Sequence, residues 1–147
     1  MQRSILILSI FACLTLAFGS NAVAQDLNVF DGTEMEITKV VNGHEVEGQL
    51  EDGTNVTVRV MGIDCHSGSE GKKARRQASK LLKKKKVTLE GTRAAFPLAL
   101  DNHGRVVAYV RVDQTDFSAS MLEAGQCTTA TWNIPHPRRT EYASLSN

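Results

Sequence analysis

Residues Arg59 to Ser67, within the stretch VRVMGIDCHSG, place a guanidinium, a carboxylate, a thiol, an imidazole and a hydroxyl close together in the chain. A second guanidinium, Arg105, follows the turn-forming run Asp101-Asn102-His103-Gly104. Two guanidiniums and a carboxylate suit chemistry at phosphorus. Guanidiniums donate paired hydrogen bonds to phosphate oxygens, and a hard cation on carboxylates offsets the charge gained in a pentacoordinate transition state. Each residue also has a plainer reading. Arg59 and Arg105 are otherwise strand-end arginines, and Asp64 otherwise caps the loop that follows it. His44 is a turn residue or, with Asp64 and His66, part of a site for Zn²⁺ or another transition metal, because two imidazoles and a carboxylate suit such ions better than Ca²⁺. Glu70 is a general base or the acidic first turn of a helix, where the dipole favours it.

Charge supplies a further group. The 147-residue chain has 17 basic and 16 acidic residues, so net charge says nothing about partners. Its distribution does. Asp26 to Asp52 holds eight acids against Lys39, whereas Lys72 to Lys86 holds nine bases and no acid. Lys72, Lys73, Arg75, Arg76, Lys80, Lys83 and Lys84 form either a solvated helix face or a surface for nucleic acid or another polyanion. Few aromatic residues accompany them, so a stacking platform for single strands is not supported.

The elements that must hold these groups follow from period and turn chemistry. Met35–Val41, His44–Leu50 and Asn55–Met61 alternate as strands, separated by the hairpin signals Asn42-Gly43 and Asp52-Gly53. Lys72–Lys85 changes to helical spacing, with Ala74, Ala78, Leu81 and Leu82 on one narrow face. Val87–Thr92 and Arg105–Val112 are strands. A short helix runs through Met121-Leu122-Glu123-Ala124, capped by Asp116 or Ser118 and closed by Gly125. Beyond Thr131, Pro135 and Pro137 leave a tail or at most one short helix. The result is a mainly β, α+β domain: a small five-stranded antiparallel barrel of the oligonucleotide/oligosaccharide-binding type with two helices, a third being truncated or absent.

The amino terminus has the marks of an export signal: Arg3, an apolar run from Ile5 to Phe18, and Ala22-Val23-Ala24 as the site of cleavage. An uncleaved anchor is the alternative. Cys13 inside the run is not placed like a lipid-modified cysteine. Loss of 1–24 leaves a chain without a membrane-spanning segment in the periplasm or outside the cell, expected to be a monomer. Residues 25–34 are then a flexible start, 35–135 the domain and 136–147 a tail. Cys65 and Cys127 survive processing, as one disulfide or two buried thiols.

In order and separation, VVNGHEV, VRVMGID, EGKKARRQASKLL, DNHGRVVAYV and MLEAGQC resemble the staphylococcal nuclease (thermonuclease-like) family over roughly residues 37–135. The resemblance implies an oligonucleotide-binding-type barrel and, in active members, Ca²⁺-assisted cleavage of DNA and RNA phosphodiesters. It places Arg59 and Arg105 on the two phosphate arginines and Asp64 on one metal aspartate. The second metal aspartate belongs to a Gly-Asp-Thr turn that here is Gly43-His44-Glu45, and the glutamate base to a Pro-Glu pair that here is His66-Ser67. The aromatic lining of the base pocket is replaced by Thr131-Trp132-Asn133. It also implies that Cys65 and Cys127 lie close enough for a disulfide. The expected function is binding of nucleic acid or another anionic, phosphate-bearing ligand with weak or absent phosphodiesterase activity. The alternatives are an active metal-dependent secreted nuclease and a structural envelope module.

Overall fold

The computed structural model describes residues 32–91, 100–130 and 136–146. The proposed signal, residues 1–24, and Trp132 lie outside them. Three hairpin-linked strands come first: β1 (Thr33–Val40), β2 (Glu45–Leu50) and β3 (Asn55–Val60). A three-residue β4 (Ile63–Cys65) leads into α1 (Gly68–Leu82), followed by β5 (Lys86–Glu90) and β6 (Val106–Val112). Then come β7 (Thr115–Asp116), α2 (Phe117–Glu123), β8 (Cys127–Thr129) and α3 (Arg139–Leu145).

The main sheet runs β3-β2-β1-β5-β6-β7, and β3 also pairs with β6, closing a five-stranded barrel. Its pairings are antiparallel except β3–β6, where Val58, Arg59 and Val60 lie parallel to Val106, Val107 and Ala108. The expectation of a wholly antiparallel barrel is therefore corrected. Strands that alternate up and down around a ring of five must meet one neighbour in the same sense. Closure also removes the exposed edges that an open sheet would present.

The barrel interior holds Met35, Ile37, Val46, Val58, Val60, Leu89, Val106, Ala108 and Val110, each no more than 3% exposed. These are the alternate positions of their strands, so period-2 patterning sets the core. β1 carries a register shift between Ile37 and Lys39. Gly48 lies where its neighbours leave no room for a side chain, since a Cβ there would stand 2.6 Å from the Glu36 carbonyl oxygen and from Met35 Sδ.

Helix α1 buries Ala74, Ala78 and Leu82 and leaves its cations outside. Asp116 caps α2, its Oδ1 accepting from Ser118 N at 2.9 Å and Ala119 N at 3.3 Å, and Gly125 (φ 65°) ends the helix in the left-handed region. Residues 136–146 are no loose tail. Tyr142 of α3 is fully buried, its hydroxyl donating to Asp116 Oδ2 at 2.7 Å, and Arg138 bridges Asp116 Oδ2 at 2.7 Å and Glu90. Tyr109 holds His136 through a 2.6 Å hydroxyl–Nδ1 hydrogen bond. No described helix is long and apolar enough to cross a membrane.

Candidate functional site

The site residues gather where the β1–β2 turn, the end of β3, β4 and the turn before β6 meet. Asn42 Oδ1 accepts from His44 N at 2.9 Å, so the Asn42-Gly43-His44 turn closes on its own side chain as an Asx turn. Gly43 is buried, and a Cβ on it would stand 2.7 Å from Cys65 Cβ and Sγ and 2.9 Å from Ala74 Cβ. The turn tip therefore rests on a Cys65–Cys127 disulfide, which joins β4 to β8 across the register pair Cys65↔Cys127. From the same turn His44 Nδ1 accepts from the backbone N–H of Cys65 at 2.9 Å. This leaves the neutral ring with its proton on Nε2. Burial, aided by the nearby Arg59, lowers the His44 pKa to about 4.

Arg59 is 5% exposed. Its guanidinium donates to the carbonyl oxygens of Val60 and Ile63, both at 2.9 Å, and forms an ion pair with Asp64. Burial lowers its pKa from the ordinary guanidinium value, with Asp64 opposing. Arg105 is placed by the preceding turn. Asp101 Oδ1 accepts from the backbone N–H of His103 and of Arg105, both at 2.9 Å, and Oδ2 takes Arg105 Nε at 2.8 Å. On its other side Arg105 Nη1 donates to Glu45 Oε2 at 2.7 Å. Although burial works against both charges, the hydrogen bonds to Asp101 and Glu45 raise the Arg105 pKa, and those Asp101 receives hold its carboxyl below the usual range.

The structure thus brings Arg59, Asp64, Arg105 and His44 into one region and adds two acids that sequence reasoning missed. Glu45 stands opposite Arg59 in the β2–β3 register and reaches Arg105 across the barrel. Asp101 looked like turn chemistry alone. A signal existed for Glu45: it stands at the threonine of the family's Gly-Asp-Thr turn. Both guanidiniums are engaged by the protein's own oxygens.

The other predicted residues lie apart. His66 and Ser67 are exposed at the start of α1, and Glu70 is exposed in its first turn, 3.8 Å from His66 Nδ1. That is the helix-dipole position. Among the described residues no three His, Cys, Asp or Glu side chains converge as metal ligands, so His44, Asp64 and His66 do not form the transition-metal cluster considered above. The donor set does not fit Ca²⁺ either: a hard cation takes six to eight oxygens, whereas Asp64 is paired with Arg59 and the neighbouring position offers an imidazole.

The cations of α1 form a separate region. Lys72, Arg75, Arg76, Ser79 and Lys80 line a surface concavity of about 530 Å³. Arg75 Nε is tied to the Val40 carbonyl oxygen at 3.1 Å.

The staphylococcal nuclease homologue family model matches residues 57–147. A search of curated proteins finds no match.

Proposed function

The chain belongs to the family of staphylococcal nuclease homologues, and from that premise we propose that it is an exported domain binding nucleic acid or another anionic, phosphate-bearing ligand, with phosphodiester hydrolysis weak or absent. The observation that carries this reading is the closure of the two arginines. A phosphate must displace Asp64 from the buried Arg59, and at Arg105 it competes with Asp101 and Glu45, which hold Nε and Nη1. Such a displacement exchanges one charge-assisted bond for another and yields little net binding. Ser67, where the base would stand, ends in a hydroxyl with no basic group, and loss of a general base costs about 10²–10⁴-fold in rate. The exposed cations Lys72, Lys73, Arg76 and Lys80 of α1, which have no carboxylate partner among the described residues, supply the attraction instead.

The test is a nuclease assay on the purified protein across Ca²⁺, Mg²⁺, Mn²⁺ and Zn²⁺, with Arg105→Ala as control. Cleavage at least about 10²-fold below that of a family member with both carboxylates is expected. Robust turnover that Arg105→Ala abolishes overturns the reading in favour of an active nuclease. The combined variant His44→Asp, Glu45→Thr, Ser67→Glu, which restores the family's residues and opens Arg105, should raise activity.

A further inference from the structure

We propose that the solvent face of α1 is a docking surface for the phosphate backbone of duplex nucleic acid, bound without regard to base sequence. This deepens the reading above and rests on it. At 100° per residue, the buried residues Ala74, Ala78 and Leu82 occupy one narrow arc of α1. Lys72, Lys83, Arg76, Lys80 and Lys73 succeed one another around the opposite half, with Arg75 at its border beside Leu82. From Lys72 to Lys83 the row spans about 16 Å of helix, which covers about five phosphates of one strand at 3.4 Å each.

These cations differ from six of the nine others in the described residues, Lys84, Lys86 and Arg139 being the remaining three. Lys39, Arg59, Lys85, Arg105, Arg111 and Arg138 each have a carboxylate partner. Among the described residues Lys72, Lys73, Arg76, Lys80 and Lys83 have none, and all are exposed. The one acid on the helix, Glu70, sits at its N-terminal end. Charge complementarity therefore calls for a dense, regular polyanion.

Two observations select the duplex. Single strands gain affinity by stacking their bases on aromatic side chains, and the described aromatic rings, Tyr109, Phe117 and Tyr142, are all buried. A lipid surface is held through apolar side chains that enter the acyl boundary as well as by charge. The apolar face of α1 is spent on the barrel, and Leu100 is the one exposed large hydrophobic residue described. What remains is charge on a rigid rod, which suits the higher linear charge density of a duplex.

The experiment measures fluorescence anisotropy of the purified protein with a 30-base-pair DNA duplex of mixed sequence, with one of its strands alone, with heparin, and with vesicles containing phosphatidylglycerol. Each is titrated from 50 to 200 mM NaCl. The duplex should bind most tightly and lose about 10²–10³-fold in affinity over that range, a log–log slope near −4 to −5. Lys72→Gln/Arg76→Gln/Lys80→Gln should make the slope shallower by between two and three, whereas Arg111→Gln, at a cation paired with Glu90, should leave it unchanged. Equal or tighter binding of the single strand, heparin or vesicles overturns the choice of duplex while the broader anion-binding reading stands. No affinity for any of the four at 50 mM NaCl overturns both. A slope unmoved in the folded triple variant removes α1 from the interface.

Discussion

Replacing both Cys65 and Cys127 by alanine should lower the melting temperature by roughly 15–20 °C. The bridge spans 62 residues, and constraining a loop of that length in the unfolded chain contributes about 4 kcal/mol at 25 °C. For roughly 100 ordered residues the unfolding entropy is near 0.2 kcal/mol per degree, which converts that loss into the stated drop. The effect should centre on the candidate site. β4 and β8 are three residues each and carry few ladder bonds of their own. β4 supplies Ile63 O and Asp64 to Arg59, and the Cys65 N–H to His44. Calorimetry of the oxidised protein, the reduced protein and the double variant checks this. Reduction should reproduce the double variant's drop and leave the double variant itself unmoved. A drop below about 4 °C, or two alkylatable thiols in the native oxidised protein, would refute the reasoning.

Arg59→Ala should destabilise by about 3–5 kcal/mol, because it strands Asp64 and two buried carbonyls, whereas Arg105→Ala, on a more exposed pair, should cost about 1 kcal/mol; urea midpoints of the two variants decide the order. His44 contributes a pH dependence of fixed sign. Its folded pKa, about 4, lies below the ordinary imidazole value of 6.5, so the unfolded chain binds the proton more readily and the contribution present above pH 6.5 is lost as pH falls towards 4. The loss is about 1–3 kcal/mol, seen as a steeper decline in wild type than in His44→Asn; a His44 ring that titrates near 6.5 by NMR contradicts it. Asp116→Ala removes the α2 cap and the anchor of Tyr142 and Arg138 together. It should cost about 2–4 kcal/mol and speed hydrogen exchange in 139–145 above all.

The fold was legible where local rules suffice. Period-2 runs, Asn-Gly and Asp-Gly turns, the helical spacing of Ala74, Ala78 and Leu82, and the Asp116 and Gly125 caps all stand where the sequence places them. What escaped is non-local or too short to show a period. β4 and β8 declare nothing in three residues, and the parallel β3–β6 pairing is a property of the closed ring rather than of either strand. α3 is the one short helix that the sequence allowed beyond Pro135 and Pro137, but what anchors it was not legible. The contacts of its buried Tyr142 and of Arg138 reach back 26 and 22 residues to Asp116, a separation at which sequence period carries no information.

At the candidate site, residue types were legible and their engagement was not. Arginines that serve a phosphate and arginines that staple a barrel look alike in sequence, and the difference lies in which acids stand across from them. Glu45 is 60 residues from Arg105, yet the β2–β3 register and the β3–β6 closure bring it into contact. With Glu45, Asp64 and Asp101 all present, three carboxylates face two guanidiniums and a neutral His44, so an approaching phosphodiester meets no net positive charge there. The acids that neutralise the site come from β2, β4 and the turn before β6, and their ion pairs are with Arg59 and Arg105 rather than with Lys72, Lys73, Arg76, Lys80 or Lys83. One barrel therefore holds two cationic regions in opposite states. The buried one is satisfied internally and stabilises the fold, while the exposed one lacks partners in the described protein and is the region whose charge remains available to a polyanion.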